Sequence, residues 1–445
     1  MQRPSIYKKT LFYLGSAVCG AYGMKLIAQN FTLTVQAQEV GPNHNDMKLK
    51  NVHILFRHGA RTPIKLTPNV PEATYDKSLT PECPYVKNYK ITYLDGGPRP
   101  DTTIEDTYRK KQLQGGAYPG QLSTLGFDQM VALGMTLRKR YIEKHGLVES
   151  EYRPDQVFIR SSNIARTIDS LRCVMAGVFG EIKDKVTIPV ANLDDEILFP
   201  NHHFCIAIRL VHRRGWKHAD EIEGYRDTRF KIEKILDYVE GEGKGPVKMN
   251  EVRDDLVARI AHGLQVPEKL LPYLDEIDKM ATLSAKQALC GTPQERDLGL
   301  KLAAGPILHM LEERIDNVLD GKSSQRLCLY SVHDSSLVPV LVALGIYDDK
   351  WPPYAADLCI EVYEDQQGTH WIRVTYCGNE QTLPGCSGPV ITLEEYKKAT
   401  SNYSIPMQTY WHLCDNEGQE KPSLLDRLLG RKKKVEERRL VPEGM

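Results

Sequence analysis

This 445-residue chain repeatedly shows a strand pattern followed by a helical pattern. Residues 51–56, 155–160 and 326–331 carry strand signals and have the length of strands. Residues 357–364 and 370–376 have strand character as well, and we expect them to pair as a hairpin. Because strands that alternate with helices are typical of a sheet covered on both faces, the pattern predicts an α/β fold. The expected architecture is a three-layer core around a mostly parallel, mixed sheet.

The region 201–292 differs from the rest of the chain, since it is polar, rich in helix-forming residues and poor in strand signals. We interpret it as a smaller helical insertion domain that packs beside the sheet. The insertion divides the predicted core into two parts, 47–200 and 293–420. The remaining predicted segments are an N-terminal targeting or anchor segment, 1–46, and a basic C-terminal tail, 421–445.

The N-terminal segment has the composition of a targeting sequence. Its first 38 residues lack Asp and Glu, and its apolar run, 11–24, is shorter than the ~20 residues of a membrane-spanning helix. We expect a mitochondrial location, with the secretory pathway or anchoring in the ER/Golgi lumen as the alternative. Peripheral or N-terminal membrane association is a further prediction, whereas the basic tail is interpreted as a solvated charged segment.

The charge of the chain is balanced, with 58 Lys+Arg and 58 Asp+Glu. Nucleic-acid-binding domains usually carry a basic excess, so the balance argues against a nucleic-acid partner and requires any anion site to be local. The ten cysteines show no zinc-site spacing. Most of them are expected to be buried thiols, although Cys377 and Cys386 are close enough in sequence to pair.

Charged residues cluster at three predicted strand-to-helix junctions. Ligands of open α/β sheets bind beyond the carboxyl ends of the strands, and parallel strands would bring the three junctions to one edge. We therefore expect one site built from residues that lie far apart in the sequence. Its candidate members are Arg57, His58, Arg61, Arg160, Arg166, His333 and Asp334.

This combination of side chains suits phosphoryl transfer. Guanidinium groups match phosphate oxygens, and each charge-assisted hydrogen bond contributes about 1.5–3 kcal/mol net. A histidine can attack phosphorus and carry it covalently, and Asp334 is the candidate donor of the proton that the departing alcohol needs. A helix N-terminus lowers the pKa of a carboxylate whereas a bound phosphate dianion raises it, so the donor role predicts activity that favours acidic pH. This chemistry needs no metal or other cofactor, and none is predicted.

The segments "FRHGARTP", "SSNIART" and "SVHDSS" resemble the signature of the histidine acid phosphatases, branch 2 of the histidine phosphatase superfamily. The resemblance implies a phosphoglycerate mutase-like α/β core with a helical insertion, and hydrolysis of phosphomonoesters. It implies that His58 is the nucleophile that becomes phosphohistidine and that Asp334 protonates the leaving group. The residues that it implies for phosphate binding are Arg57, Arg61, Arg166 and His333, whereas Arg160 has no counterpart.

Loop segments such as "QGGAYPGQLSTLG" and "KWPPYAADL" are similar to the branch of this family that cleaves lysophosphatidic acid to monoacylglycerol and phosphate. The similarity implies a small-molecule phosphomonoester of lipid origin as the substrate, and we expect the enzyme to be a monomer. Two alternatives stay open. One is a phosphatase for inositol polyphosphates or phosphosugars, for which 209–218 is the candidate basic rim; the other is a catalytically silent binder of phosphate or lipid head groups.

Two further motifs have a structural interpretation. The adjacent His202 and His203 could suggest a metal, but neighbouring histidines rarely share one ion, so we predict none there. The proline-rich segment 351–354, "WPPY", is interpreted as a rigid loop, with the lining of an acyl-chain pocket as the alternative.

Overall fold

The computed structural model describes residues 47–241 and 245–416. The predicted targeting segment and the basic tail therefore lie outside the described residues. Within the described ranges, no helix combines the length and the apolar character needed to cross a bilayer.

A mixed sheet forms the centre of the fold. In chain order the strands are β1 Lys48–Arg57, β2 Tyr89–Tyr93, β3 Val157–Ser161, β4 Val186–Val190, β5 Leu327–Val332, β6 Asp357–Glu364, β7 His370–Tyr376, β8 Asn379–Gln381 and β9 Val390–Thr392. Seven of them form one sheet in the order β3-β5-β1-β6-β7-β8, with β9 paired to β7. The predicted α/β fold with a mixed sheet is confirmed.

The parallel part of this sheet brings three strand ends together. Strand β5 pairs in parallel with β1 on one side and β3 on the other. In this register Arg57 lies opposite Val332, and Ser161 lies opposite Ser331. Strand β6 runs antiparallel to β1 and forms the predicted hairpin with β7 at the predicted bounds. The carboxyl ends of β1, β3 and β5 therefore meet at one edge.

Helices surround the sheet. The α-helices are α1 Thr103–Arg109, α2 Thr124–Leu137, α3 Ala165–Phe179, α4 Ile206–Lys217, α5 Tyr225–Ile235, α6 Met249–Ala261, α7 Leu274–Cys290, α8 Arg296–Ala303, α9 Gly305–Leu319, α10 Asp334–Ala343, α11 Leu393–Thr400 and α12 Met407–Asn416. Helix α2 continues into a π-helical segment, Arg138–Lys144. Short 3-10 helices span Lys77–Leu79, Ala219–Glu221 and Glu268–Tyr273.

Strand β1 shows why the core has three layers. Successive side chains of a strand point to opposite faces. Ile54 and Phe56 pack into a cluster with residues of α2 and α3, whereas Leu55 packs into a second cluster with residues of α9 and α10. Both faces of the strand are buried at this point, which explains why residues 54–56 are apolar in succession rather than alternating with polar residues.

The segment 201–292 contains α4 to α7, in line with the expected helical character of this region. Helices α5, α6 and α7 share an apolar cluster of their own, which includes Ile232, Leu256 and Ile277. The preceding excursion, 67–120, contains more regular structure than its Pro and Gly content suggests, since it includes β2 and α1.

A disulfide joins Cys205, next to α4, to Cys414 in α12, across 209 residues of sequence. Cys377 and Cys386 are free thiols, so the pairing considered for them is wrong. Five other free cysteines in the described part of the chain are buried, as expected for most of these residues.

Candidate active site

The three charged junctions converge on one cluster. The imidazole rings of His58 and His333 are 5.6 Å apart, and Arg57 Nη2 lies 2.7 Å from Asp334 Oδ2. Arg166 Nη2, from the first turn of α3, lies 3.4 Å from His333 Nδ1. The structure therefore brings together six sequence-predicted residues, which are Arg57, His58, Arg61, Arg166, His333 and Asp334.

His58 directly follows β1 and is 1% exposed. Its Nδ1 lies 2.9 Å from the carbonyl oxygen of Gly59. A carbonyl can only accept, so Nδ1 carries the proton and Nε2 keeps a free lone pair. Burial holds the pKa of His58 well below its usual value, and the nearby guanidinium groups of Arg166 and Arg57 lower it further. His58 is therefore a neutral imidazole with a nucleophilic nitrogen.

The backbone after His58 is fixed by close packing against the start of α2. A Cβ on Gly59 would lie 2.4 Å from the carbonyl oxygen of Gly126, which leaves no room for a side chain. The hydroxyl of Ser123 caps α2 by accepting from the N–H of Gly126 at 3.2 Å, and it donates to the carbonyl of Ala60 at 3.1 Å. The glycine thus allows the loop that carries His58 to rest directly on the helix.

The guanidinium of Arg57 is held by three groups. It donates to the carbonyl oxygen of Pro352 at 2.6 Å and pairs with Asp334, while the ring of Tyr354 lies 4.4 Å from its central carbon. The segment 351–354 is therefore a structural part of the site, as the rigid-loop interpretation suggests.

Arg61 is held by the helical insertion. Its Nη2 lies 2.8 Å from Oδ1 of Asp254 in α6, and the other oxygen of that carboxylate accepts from the N–H of Ile64 at 2.6 Å. Burial alone would lower the pKa of Arg61, but Asp254 outweighs burial and raises it. No local sequence signal marks Asp254, because it lies in α6, far along the chain from Arg61, and matches no motif.

His333 is oriented from both ring nitrogens. Arg166 can only donate, so Nδ1 of His333 accepts, and Nε2 then donates to the hydroxyl of Ser162 at 2.8 Å. Burial, followed by the charge of Arg166, holds the pKa of His333 well below its usual value. The ring is therefore neutral before a ligand binds.

Asp334 is the first residue of α10, and both of its oxygens are occupied. Oδ2 accepts from Arg57 and from the indole N–H of Trp351 at 2.9 Å, and Oδ1 accepts from the N–H of Ser335 at 2.8 Å. Burial by itself would raise the pKa of Asp334, but Arg57 and Arg61 outweigh burial and hold it well below its usual range. The group is therefore a carboxylate in the ligand-free site.

Three arginines of the cluster have unused donors. Nε of Arg57, Nε of Arg61, and Nε and Nη1 of Arg166 are buried and have no hydrogen-bond partner among the described residues. Buried donors are costly to leave unpaired, so these atoms mark a place where an oxyanion would be stabilised.

Arg160 is a candidate that the structure places elsewhere. Its guanidinium lies 3.6 Å from Glu196 and 3.5 Å from the sulfur of Met310, and this set of contacts differs from that of the cluster. Arg160 therefore packs β3 against neighbouring residues and is not part of the anion site.

A cavity of about 470 Å³ opens onto the cluster. Its charged lining includes His58, Arg61, Arg166, His333 and Asp334. Its apolar lining comes from Ile64, Ile104, Ile164 and Phe199. The lining thus combines charged groups that suit an anion with apolar side chains that suit a hydrocarbon group.

His202 and His203 line the same cavity, and the ring of His202 stacks on that of His212 at 5.1 Å. Burial lowers the pKa of His212 to about 4. Among the described residues, no group of His, Cys, Asp and Glu has the arrangement needed to hold a metal. The segment 351–354 does not contribute to the cavity lining, so its alternative role as an acyl pocket gains no support.

The fold and this cluster agree with the match to a family model. The model of the histidine phosphatase superfamily (branch 2) matches residues 48–210 and 283–377 of this chain. The unmatched interval between these two parts falls within the helical region. The chain belongs to the histidine phosphatase superfamily, branch 2, and it is a phosphoric monoester hydrolase of the acid phosphatase type.

Curated relatives lie within the same family. The chain is 33% identical to the lysophosphatidic acid phosphatase type 6 of Mus musculus, over 85% of this chain and 92% of the relative. It is also 33% identical to the human protein of that name, over 83% and 86% of the two chains. Counting factor 60 of Dictyostelium discoideum is 26% identical over 86% of this chain and 92% of its own length.

Solved structures share the fold at low sequence identity. A Hafnia alvei phytase in complex with tartrate superposes with a TM-score of 0.55 at 15% identity, over 82% of this chain and 99% of the phytase. A multiple inositol polyphosphate phosphatase of Bifidobacterium longum gives a TM-score of 0.55 at 12% identity, over 86% and 96% of the two chains. These likenesses show the fold alone.

Proposed function

We propose that this phosphatase acts through a phosphohistidine intermediate on His58. The observation that carries the proposal is the set of unpartnered guanidinium nitrogens of Arg57, Arg61 and Arg166 around a neutral imidazole. The non-bridging oxygens of a phosphomonoester would pair with these donors and leave phosphorus beside Nε2 of His58.

In the first half-reaction, Nε2 of His58 attacks phosphorus, and the bond between phosphorus and the ester oxygen breaks. Asp334 gives a proton to that oxygen, so the product leaves as a neutral alcohol. In the second half-reaction, water attacks phosphorus and the nitrogen–phosphorus bond breaks. The carboxylate of Asp334 accepts a proton from that water, inorganic phosphate is released, and both side chains return to their starting states.

The donor role of Asp334 depends on the bound substrate. In the ligand-free site the arginines hold its pKa well below the usual range, which disfavours the protonated form. The negative charge of the phosphate group would offset Arg57 and Arg61 and raise that pKa. Acidic pH adds to this effect, so we expect activity to fall as the pH rises above the pKa of Asp334 in the complex.

We further propose lysophosphatidic acid as the substrate. The apolar side chains of Ile104, Ile164 and Phe199 line the cavity, and a hydrocarbon group that bound there would bury them. Relatives at 33% identity carry the name lysophosphatidic acid phosphatase, which supports the same choice.

Inositol polyphosphates are a weaker alternative. A highly charged substrate needs a basic rim beyond the catalytic arginines. The cations of the stretch 209–218, which were the candidates for this rim, do not contribute to the described lining of the cavity. A silent binder is a weaker alternative too, since a nucleophile and a proton donor are both in place.

A substrate panel tests the proposal. The purified full-length chain is compared on oleoyl lysophosphatidic acid, inositol hexakisphosphate and p-nitrophenyl phosphate at acidic pH, by phosphate release. We expect kcat/KM to be highest for the lysophospholipid and His58→Ala to be inactive while it keeps the circular dichroism of the parent. Preference for the inositol phosphate would refute the lipid substrate, and full turnover by His58→Ala would refute the nucleophile.

The location of the protein also remains a proposal. The disulfide between Cys205 and Cys414 favours an oxidising compartment, because disulfides seldom persist under reducing conditions. This supports the secretory pathway over the mitochondrial matrix. Imaging of the tagged full-length chain with markers for both compartments distinguishes the two locations.

A further inference from the structure

The indole of Trp351 lies against the carboxylate of Asp334. Its Nε1–H donates to Oδ2 at 2.9 Å, and the same oxygen accepts from Arg57 Nη2 at 2.7 Å. The N–H of Ser335 holds the other oxygen at 2.8 Å. Three donors therefore orient the carboxyl group of Asp334: a charged side chain (Arg57), a neutral side chain (Trp351) and the backbone N–H of Ser335.

Trp351 is in turn held by the helical insertion. The guanidinium of Arg253, in α6, lies 4.3 Å from the centre of the indole ring. Arg253 is buried, and its Nε lies 2.6 Å from Oδ1 of Asp278 in α7. A desolvated cation over an indole face is a favourable contact, so Arg253 helps to fix the plane of the Trp351 ring.

The next residue of the same helix holds the other side of the site. Asp254 pairs with Arg61 at 2.8 Å, whereas Arg253 contacts Trp351. Two consecutive residues of α6 thus support the phosphate-binding side and the proton-donor side of the cluster. This arrangement gives the insertion a defined task in the chemistry of the core.

We propose that Trp351 is a positioning residue for Asp334, and that Arg253 keeps Trp351 in place from the helical insertion. The inference rests on the proposed role of Asp334 as proton donor. It goes beyond that role because it assigns the orientation of the donor, and its proton affinity, to side chains that do not themselves transfer the proton.

The physical basis is the preference of an N–H donor for a charged carboxylate. Together with the charges of Arg57 and Arg61, the hydrogen bond from Trp351 stabilises the ionised form of Asp334 and so lowers its pKa. His333, the other titratable group that faces Asp334, is neutral. Removal of the indole N–H should let Asp334 keep its proton to higher pH. It should also let the carboxyl group rotate away from the leaving oxygen, which weakens proton transfer.

Trp351→Phe tests the proposal, because it keeps an aromatic ring under Arg253 and deletes the N–H. We expect the alkaline limb of the kcat/KM profile to move upward by roughly half a pH unit to one unit. Proton donation matters most for poor leaving groups, so the loss in kcat/KM should be roughly 5- to 20-fold for an alkyl phosphate and under about 3-fold for p-nitrophenyl phosphate.

Trp371 provides a matched control. Its indole Nε1–H donates to Oδ2 of Asp365 at 2.8 Å, in the hairpin between β6 and β7. Trp371→Phe deletes the same kind of hydrogen bond away from the site and should leave the pH profile unchanged. Arg253→Met removes the cation from the Trp351 ring and should change the profile in the same direction as Trp351→Phe, by a smaller amount.

Failure of this inference can be distinguished from failure of the proposed function. If Asp334 is the donor, Asp334→Asn should lose far more kcat/KM on the alkyl phosphate than on p-nitrophenyl phosphate. An unshifted alkaline limb in Trp351→Phe, with equal losses on both substrates, would overturn the positioning role while Asp334→Asn still behaves as expected. If Asp334→Asn instead had the same ratio of kcat/KM values for the two substrates as the parent, the donor assignment itself would be refuted.

Discussion

The guanidinium of Arg57, the last residue of β1, lies 2.7 Å from the carboxylate of Asp334, the first residue of the helix that follows the adjacent parallel strand β5. This ion pair joins a phosphate-binding group to the proposed proton donor. A phosphate that binds Arg57 also weakens the influence of Arg57 on Asp334. Substrate binding would therefore prepare the acid for catalysis, because the charge that keeps it ionised is then neutralised.

Sulfate binding tests this coupling, because sulfate is a dianion that does not itself titrate at mildly acidic pH. The pKa of Asp334 is held low by Arg57 and Arg61, so a bound dianion should raise it and cause proton uptake. Titration calorimetry in buffers of different ionisation enthalpy measures the number of protons bound. We expect larger uptake by the parent than by Asp334→Asn, in which uptake by histidines remains. Equal uptake by the two proteins would contradict the coupling.

Asp254→Asn should impair the reaction although Asp254 lies outside the core of the fold. The change removes the charge that pairs with Arg61 at 2.8 Å, so the guanidinium should become mobile. Loss of one partner from a buried pair is costly, and we expect kcat/KM for p-nitrophenyl phosphate to fall by roughly 10- to 100-fold. Asp297→Asn, at a 69% exposed carboxylate paired with Lys301, is the control and should retain full activity.

His53 should make the fold sensitive to acid. Burial, with a smaller effect of Arg314, lowers the pKa of His53 from 6.5 to about 3, while its Nδ1 contacts the hydroxyl of Tyr330 at 3.0 Å. Between these two pH values the unfolded chain binds a proton that the folded chain does not, so stability falls as the pH falls. At pH ~4.5 this group alone costs about 2–3 kcal/mol relative to neutral pH.

His53→Gln keeps a hydrogen-bonding group near Tyr330 and removes the titration. Urea unfolding at neutral and acidic pH measures the free energy of unfolding in both proteins. We expect the variant to lose less stability on acidification than the parent. The same loss in both proteins would show that the burial of His53 has no part in the acid response.

The disulfide between Cys205 and Cys414 should stabilise the fold without affecting the chemistry. It closes a loop of 209 residues between α4 and α12, so the double variant Cys205→Ser/Cys414→Ser should lose about 2–4 kcal/mol in the free energy of unfolding. Its kcat at low temperature should be unchanged. Cys386→Ser, at a free thiol, is the control, and a double variant as stable as this control would contradict the prediction.

The sequence predicted which residues form the cluster because they lie at strand-to-helix junctions. Arg57, His58 and Asp334 each follow a recognisable apolar run, and the parallel pairing of β1 with β5 brings those run ends together. The strand pattern of the sequence and the position of each charged residue after a strand were sufficient to predict that these residues meet. Arg160 shows the limit of the argument, because a side chain at the end of a strand can turn toward packing partners such as Glu196.

The supporting contacts could not be predicted in this way. Asp254 and Arg253 reach the site from α6, and their pairing with Arg61 and Trp351 depends on how the insertion packs on the core. The same holds for the disulfide, whose cysteines are 209 residues apart. Contacts between elements carry no local sequence period, so only the folded arrangement reveals them.

Trapping of the covalent intermediate tests the central claim most directly. The enzyme is mixed with p-nitrophenyl phosphate, quenched in alkali, where phosphohistidine survives and acyl phosphates do not, and digested for tandem mass spectrometry. We predict phosphate on His58 in the parent and no phosphopeptide in His58→Ala. Phosphate on another residue, or a parent that turns over rapidly with His58 never modified, would contradict the account.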